Sequence, residues 1–262
     1  MILLSKLIRY NSYNCLEINS TMRKYLFIIL FGVSFYLFGQ DNTYRFLYNI
    51  HQETIFNDEM KKNTPKDFLP EIVNAFNESY EFEVLASKNY SFVKLIEKVK
   101  NSQNDAVRIY PEPNWLLNDF EHNKSYEFAE YGDTYVVDSI KIEGLKPTKE
   151  MKEILGLQAK KFIFENDEFY YEIWLAKMNG ITVSPYYFQF KNFVVVELFK
   201  KFKKVEEGGG KMEKRYLLKE ISQEKKPTDF IKLIPKKVLT PKELQEKIDK
   251  INQMTENNEV EK

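Results

Sequence analysis

Aromatic and branched residues recur at every second position through much of this chain, and that alternation constrains its fold more than any other feature. In TYRFLYNI (43–50), Tyr44, Phe46, Tyr48 and Ile50 fall on one side of an extended backbone. A period of two is the signature of a half-buried strand, because successive side chains leave a pleated chain on opposite faces. The pattern returns in YEFEVLAS (80–87) and in DAVRIY (105–110), where PEP stops it. SYEFAEYGDTYVVDSIKIE (125–143) reads as two strands around Tyr131-Gly132-Asp133, and KKFIFENDEFYYEIWLA (160–176) as two more joined at Asn166-Asp167. In the latter, Phe169, Tyr171, Ile173 and Leu175 share a face. SPYYFQFKNFVVVELFKKF (184–202) places Phe188, Phe190, Val194, Val196 and Leu198 together, and RYLLKEI (215–221) adds a further strand. With 21 Phe and 17 Tyr against nine Gly and nine Pro, the composition suits strands, since flat rings pack well on a pleated surface.

Three segments break the period. In NTPKDFLPEIVNAFNES, Leu69, Ile72, Val73 and Phe76 recur at helical spacing, and Pro70 confines that helix to a short one. SFVKLIEKVK (91–100) fits a helix through Phe92, Leu95, Ile96 and Val99, and also fits a strand. TPKELQEKIDKINQ (240–253) opens with a capping box, Thr240 and Glu243, and carries a thin apolar stripe of Leu244, Ile248 and Ile251. No Gly-rich phosphate loop and no βαβ alternation is present. The expected fold is therefore mainly β (α+β). It is an antiparallel curved sheet or half-barrel meander with short helices and a C-terminal amphipathic helix.

The N-terminal region addresses export. From Met22, two cations (Arg23, Lys24) precede an apolar run from 25 to 38 and then Gly39-Gln40. That order is the n-region, h-region and small-residue exit of a secretory signal peptide. The run is shorter than the roughly 20 residues that cross a bilayer as a helix, so no transmembrane anchor is expected after cleavage. The expected organisation has residues 1–21 as an upstream extension and 22–40 as the signal peptide. A single β-rich domain at 41–255 and a disordered tail at 256–262 follow. The one cysteine, Cys15, precedes the signal peptide, which leaves the exported part without a disulfide or thiolate. Residues 1–40 hold four cations and one anion, so the remainder carries 35 cations against 38 anions. Without a basic excess, nucleic acid is excluded as the first partner. Location is expected to be periplasmic or secreted, with or without outer-membrane association.

Trp174, Ala176, Ile181, Pro185, Tyr186, Phe188, Glu197 and Leu198 stand at the spacing of a longer pattern. It runs Trp-aromatic-Thr/Ala, Ile-Pro-Ile, Gly-Pro-Tyr-Lys-Phe, a hexapeptide, then Glu-Ile. Upstream, Lys152, Ile154, Gly156 and Lys161 match Lys-x-Ile-x-Gly-Tyr-x-Cys-x-Lys-Ala in register. In these features the chain resembles the GLPGLI family of signal-peptide-bearing proteins from Gram-negative envelopes, loosely over 43–250 and well over 150–200. The name-giving hexapeptide is replaced by FKNFVV (190–195), the family Gly before the proline is Ser184, and the family Cys is Ala159. The resemblance implies a location and a fold rather than a reaction.

Candidate chemistry is sparse. His51, His122 and Glu121 could hold a metal only if the fold gathered them, and no His-x-x-x-His spacing exists. Ser125, Ser139 and Ser184 lack a local nucleophile signature. No catalytic residue, metal ligand or cofactor is assigned. The segment KKFKKVEEGGGKMEKR (200–215) reads as a solvated hairpin tip, with contact to anionic headgroups or surface polymers as the alternative. Rings are the remaining candidates. Trp174, Pro185, Tyr186, Phe188 and Phe190 form a candidate face for a ligand or partner. The expected function is non-enzymatic binding of an apolar ligand or an envelope partner protein through that aromatic face. The alternative is an envelope hydrolase with a dispersed Ser/His or metal site.

Overall fold

The computed structural model describes residues 42–77, 79–96, 112–128, 134–137, 142–203, 210–240 and 242–250. Among these residues eleven antiparallel strands make one sheet. β1 (Tyr44–Phe56), β2 (Ser79–Ala86), β3 (Tyr90–Ile96), β4 (Trp115–Asp119), β5 (Lys124–Phe128) and β6 (Thr134–Val137) form the first half. β7 (Lys146–Ile154), β8 (Leu157–Glu165), β9 (Phe169–Lys177), β10 (Phe193–Phe202) and β11 (Gly210–Gln223) form the second. Two short helices, α1 (Asp58–Asn63) and α2 (Leu69–Phe76), follow β1, and a third, α3, covers 242–250.

The strand order is β6-β5-β4-β3-β2-β1-β11-β10-β9-β8-β7. Each half is a meander, and the first and last strands meet in the middle, Tyr44 opposite Gln223 and Phe56 opposite Gly210. Thus the expected single meander is two, welded by their terminal strands. The sheet is open and curved. Tyr216 on β11 donates from its hydroxyl to the Glu112 carbonyl just ahead of β4, at 3.3 Å. Four strand spacings separate β11 from β4, about 19 Å if flat, so the sheet must curl for one side chain to make that contact.

Alternation sorts the faces. The concave face takes Phe46, Tyr48 and Ile50 from β1, Phe82 and Val84 from β2, Val93 from β3 and Leu116 from β4. From the other half it takes Tyr216 and Leu218, Leu198, Ile173 and Tyr171, all buried. At one end of this face the polar residues pair with each other. Asn118 donates from its amide to Ser91 Oγ at 3.0 Å, and Ser125 Oγ donates to Asn118 Oδ1 at 2.7 Å. Buried hydroxyls and amides that satisfy one another in this way avoid the cost of desolvation.

The convex face is divided. Over β3–β6, Phe92, Trp115, Leu117 and Tyr126 are covered by the segment after β11, through Phe230, Leu233, Ile234 and Val238. Phe230 stacks on Tyr90 with ring centres 5.5 Å apart. Over the rest, ion pairs cross the strands: Arg45 and Lys94 on Glu83, Lys152 and Arg215 on Glu197, Lys161 on Glu172. At the β7 edge, lysines and glutamates alternate with Pro147, which discourages pairing with another chain.

Several sequence expectations are refined here. SFVKLIEKVK is a strand as far as Ile96, with 97–100 outside the described residues. The strand expected at 105–110 and the turn at 131–133 also lie outside them, although β5 and β6 pair as expected. Residues 184–202 are not one extended segment. Strand geometry begins only at Phe193, after a turn in which Asn192 takes a φ of 65°. A register shift between Val195 and Glu197 then adds a residue, which puts Val195 opposite Leu175 and Leu198 opposite Ile173, on one face. Val194 therefore does not share a face with Leu198. The buried Tyr48 hydroxyl donates to the Val195 carbonyl at this bulge, 2.8 Å away. Tyr48→Phe is expected to cost about 1 kcal/mol in urea unfolding, the net worth of one buried hydrogen bond.

The C-terminal helix begins as expected. Thr240 Oγ1 accepts from the Glu243 N–H at 3.2 Å, and Glu243 Oε2 accepts from the Thr240 N–H at 2.8 Å, a reciprocal capping box. No helix among the described residues is long and apolar enough to cross a membrane.

Candidate binding site

Residues 181–190, between β9 and β10, form a strap across the concave face. Its first part still resembles a strand. The Val183 N–H donates to the Phe193 carbonyl at 3.0 Å, and the Val195 N–H to the Val183 carbonyl at 2.9 Å. At Ser184 the side chain takes over, its Oγ accepting the Tyr186 N–H at 3.1 Å. From 185 to 189 the strap makes no ladder with any strand. It is held by its side chains.

Those side chains point to different walls. Phe188 packs edge-on to Tyr171 of β9 (5.1 Å) and to Tyr186 (5.2 Å), and lies 6.3 Å from Phe190. Tyr186 stands against Tyr216 of β11 at 5.8 Å. Tyr187 reaches the other half of the sheet, where its hydroxyl donates to Glu127 Oε1 on β5 at 2.6 Å. Tyr135 on β6 donates to the second oxygen of the same carboxylate at 2.9 Å. Burial pushes the Glu127 carboxyl above its ordinary range, and the two phenol hydrogen bonds pull against that rise. Burial and the neighbouring carboxylate hold the Tyr187 hydroxyl far above the usual phenol range.

On the opposite wall lies a feature missed in the sequence. Lys200 of β10 points into the concave face and is only 8% exposed. Its Nζ donates to the Tyr186 hydroxyl at 2.9 Å and sits 4.3 Å from the Phe169 ring centre, and 5.1 Å from those of Tyr186 and Phe202. Directly across the strand pair stands Lys214 of β11. Burial, followed by the charge of Lys214, lowers the Lys200 pKa to about 8. Burial also lowers that of Lys214. The expectation of a solvated hairpin tip at 200–215 is therefore corrected at both lysines. The strand continues through them, and alternation turns them inward. Strand parity from Leu198 and Tyr216, both recognisable as apolar, was the signal that could have found them.

The five ring-face candidates separate into two groups. Pro185, Tyr186, Phe188 and Phe190 are together in the strap, with Tyr186 and Phe188 buried and Phe190 half-buried. Trp174 lies on the opposite face of β9, level with Glu197 and Lys161. There the Lys152 ammonium covers its ring at 3.9 Å, with Lys161 at 5.9 Å. A tryptophan roofed by two lysines is part of the convex ion-pair layer, not of the concave wall.

The histidines lie apart, His51 on the central strand β1 and His122 in the turn between β4 and β5. His51 Nδ1 is 3.3 Å from Ser79 Oγ, with no acid in the pair. His122 Nδ1 is 2.8 Å from Asp119 Oδ2, with no hydroxyl nucleophile in the pair. Neither completes a triad among the described residues, and none of those residues forms a cluster suited to a metal. Inside the strap, the Gln189 amide is buried without a hydrogen-bond partner among the described residues. That is a cost to stability rather than a contribution.

No family model matches the sequence, and no curated protein matches it. Among solved structures the chain is similar to PNGF-II in two crystal forms, at 15% and 16% identity with TM-scores of 0.45 and 0.46. The match covers 76% of this chain and 31% of PNGF-II, so the chain spans about a third of that protein's length. It is also similar to a DUF1329 family protein from Desulfovibrio piger ATCC 29098, at 6% identity with a TM-score of 0.32. That match covers 75% of this chain and 92% of the other.

Proposed function

We propose that this chain is an exported, non-enzymatic binding protein of a Gram-negative envelope, periplasmic or secreted, and that it takes an apolar ligand against the concave face beneath its strap. The observation that carries the reading is how the strap is attached. Residues 185–189 cover the inner face with rings yet contribute no ladder hydrogen bonds. Their polar ties to the walls are the Tyr187–Glu127 and Tyr186–Lys200 contacts. A cover of that kind can be displaced by an apolar ligand without breaking the sheet, because ring contacts with the strap exchange for equivalent contacts with the ligand. The signal-peptide pattern at 22–40 and the resemblance to the GLPGLI family support the location. The incomplete pairs at His51 and His122 leave a hydrolase without a supporting constellation among the described residues.

Native mass spectrometry tests this reading on protein purified from the envelope of producing cells. An apolar molecule that travels with the folded chain and is released on mild denaturation is the expected result. A bare chain, unchanged in mass on unfolding and cross-linked in cells to an envelope protein, would replace the ligand with a protein partner.

A further inference from the structure

The two inward lysines bear on what kind of apolar ligand this would be. Lys200 and Lys214 are cross-strand neighbours on the concave face. Directly opposite positions bring side chains within about 5 Å of each other, and like charges so placed repel. Neither forms an ion pair with a carboxylate among the described residues. Glu112 and Glu168 are the carboxylates whose field reaches Lys200, and Glu112 is the one that reaches Lys214. Among the described residues the Lys200 ammonium has one hydrogen-bond acceptor, the Tyr186 hydroxyl. An ammonium offers three donors. Around it stand the faces of Phe169, Tyr186 and Phe202, an apolar wall. By contrast, the inward Ser91, Asn118 and Ser125 pair with one another, and the convex Lys94, Lys152 and Lys161 each sit on a carboxylate. Lys200 and Lys214 do neither.

We propose that Lys200 and Lys214 form an oxyanion site at one end of the concave face, and that the ligand is an amphiphile whose apolar chain lies along the rings and whose carboxylate or phosphate head meets the two ammonium groups. An oxyanion supplies what the corner lacks: acceptors for the free N–H bonds and a charge that relieves the repulsion. Tyr186 belongs to the strap and bonds Lys200, so the head group and the strap compete for one ammonium. The inference rests on the concave-face reading above and narrows it.

Calorimetric titration of the purified exported chain with decanoate, decanol and inorganic phosphate tests it, alongside Lys200→Met and Lys214→Met. The expected result is decanoate binding at least tenfold tighter than decanol, with that advantage lost in Lys200→Met and reduced in Lys214→Met. Phosphate binding that equals decanoate and disappears in Lys200→Met would keep the oxyanion site and make its source a free anion. Equal binding of decanoate and decanol, insensitive to both substitutions, would overturn the head-group site and leave the apolar site standing. Binding of none of the three would overturn both. Since methionine matches the lysine stem in length and removes a buried charge, loss of folding is not expected to confound the variants.

Discussion

Replacing Glu127 with alanine is expected to lower the unfolding free energy by about 3 kcal/mol, the largest loss foreseen for a single side chain outside the apolar core. The carboxylate accepts from two phenols, Tyr187 of the strap and Tyr135 of β6, at 2.6 and 2.9 Å. Alanine leaves both hydroxyls half-buried without an acceptor, and each such group costs about 1–3 kcal/mol. It also cuts the polar tie between the strap and the first half of the sheet. Glu127→Gln keeps one acceptor oxygen, offers an amide N–H to the oxygen of the second phenol and has nearly the same volume, so its cost is expected to stay below about 1 kcal/mol. The charge adds a pH signature. The folded-state pKa of Glu127 is raised by burial. The folded chain therefore binds a proton that the unfolded chain does not in the window between the ordinary carboxylate value and the raised one. Stability from this group rises as pH falls through that window, and the glutamine variant should lack the rise. Urea denaturation of the three proteins from pH 7 to pH 5 checks both statements. A Glu127→Ala midpoint indistinguishable from wild type would show that the Tyr187–Glu127 tie does not hold the strap.

Lys200→Met is expected to act in the opposite direction, stabilising the chain by about 2 kcal/mol at pH 7. The lysine is buried and has a folded pKa of about 8 against an ordinary 10.5. Below pH 8 the fold holds a charge it disfavours. Between pH 8 and 10.5 the unfolded chain keeps the proton that the folded chain has released, so stability climbs with pH across that window. From pH 7 to 9.5 Lys200 alone contributes a climb of about 2 kcal/mol in wild type, and that contribution disappears in the methionine variant. Lys214 contributes with the same sign, because burial lowers its pKa as well. The comparison stops at pH 9.5 because phenols of the unfolded chain begin to ionise near 10 and act oppositely. A stabilising truncation at a position that ligand binding requires would fit a site maintained for function. A destabilised Lys200→Met would instead mean that the cation–π contacts with Phe169, Tyr186 and Phe202 are structural.

The sheet was legible because alternation is local. Tyr44, Phe46, Tyr48 and Ile50 announce β1 without reference to any other segment, and Asn166-Asp167 announces the β8–β9 hairpin. The order of strands was not legible. That β1 pairs with β11, some 170 residues away in sequence, depends on both strands being long enough to lie buried in the middle, and no local pattern states it. The strap was misread because Phe188, Phe190 and Val194 do alternate. Only the turn at Asn192 and the bulge before Glu197 break the strand, and neither has a glycine to mark it. Lys200 and Lys214 were misread because charge was taken as exposure. In a chain whose inner face is aromatic, parity with Leu198 and Tyr216 outweighs side-chain polarity. Trp174 was grouped with the strap by proximity in sequence, although an even position on β9 turns it to the convex side.

The central claim is that the concave face beneath the strap is where a ligand is held. Amide hydrogen exchange on the purified protein, with and without saturating decanoate, tests it most directly. The account predicts that altered protection concentrates at 185–190 and in β10 and β11 near Lys200 and Lys214, while the β3–β6 amides beneath Phe230 keep their rates. Changes confined to the convex layer around Trp174, with the strap unaltered, would contradict it.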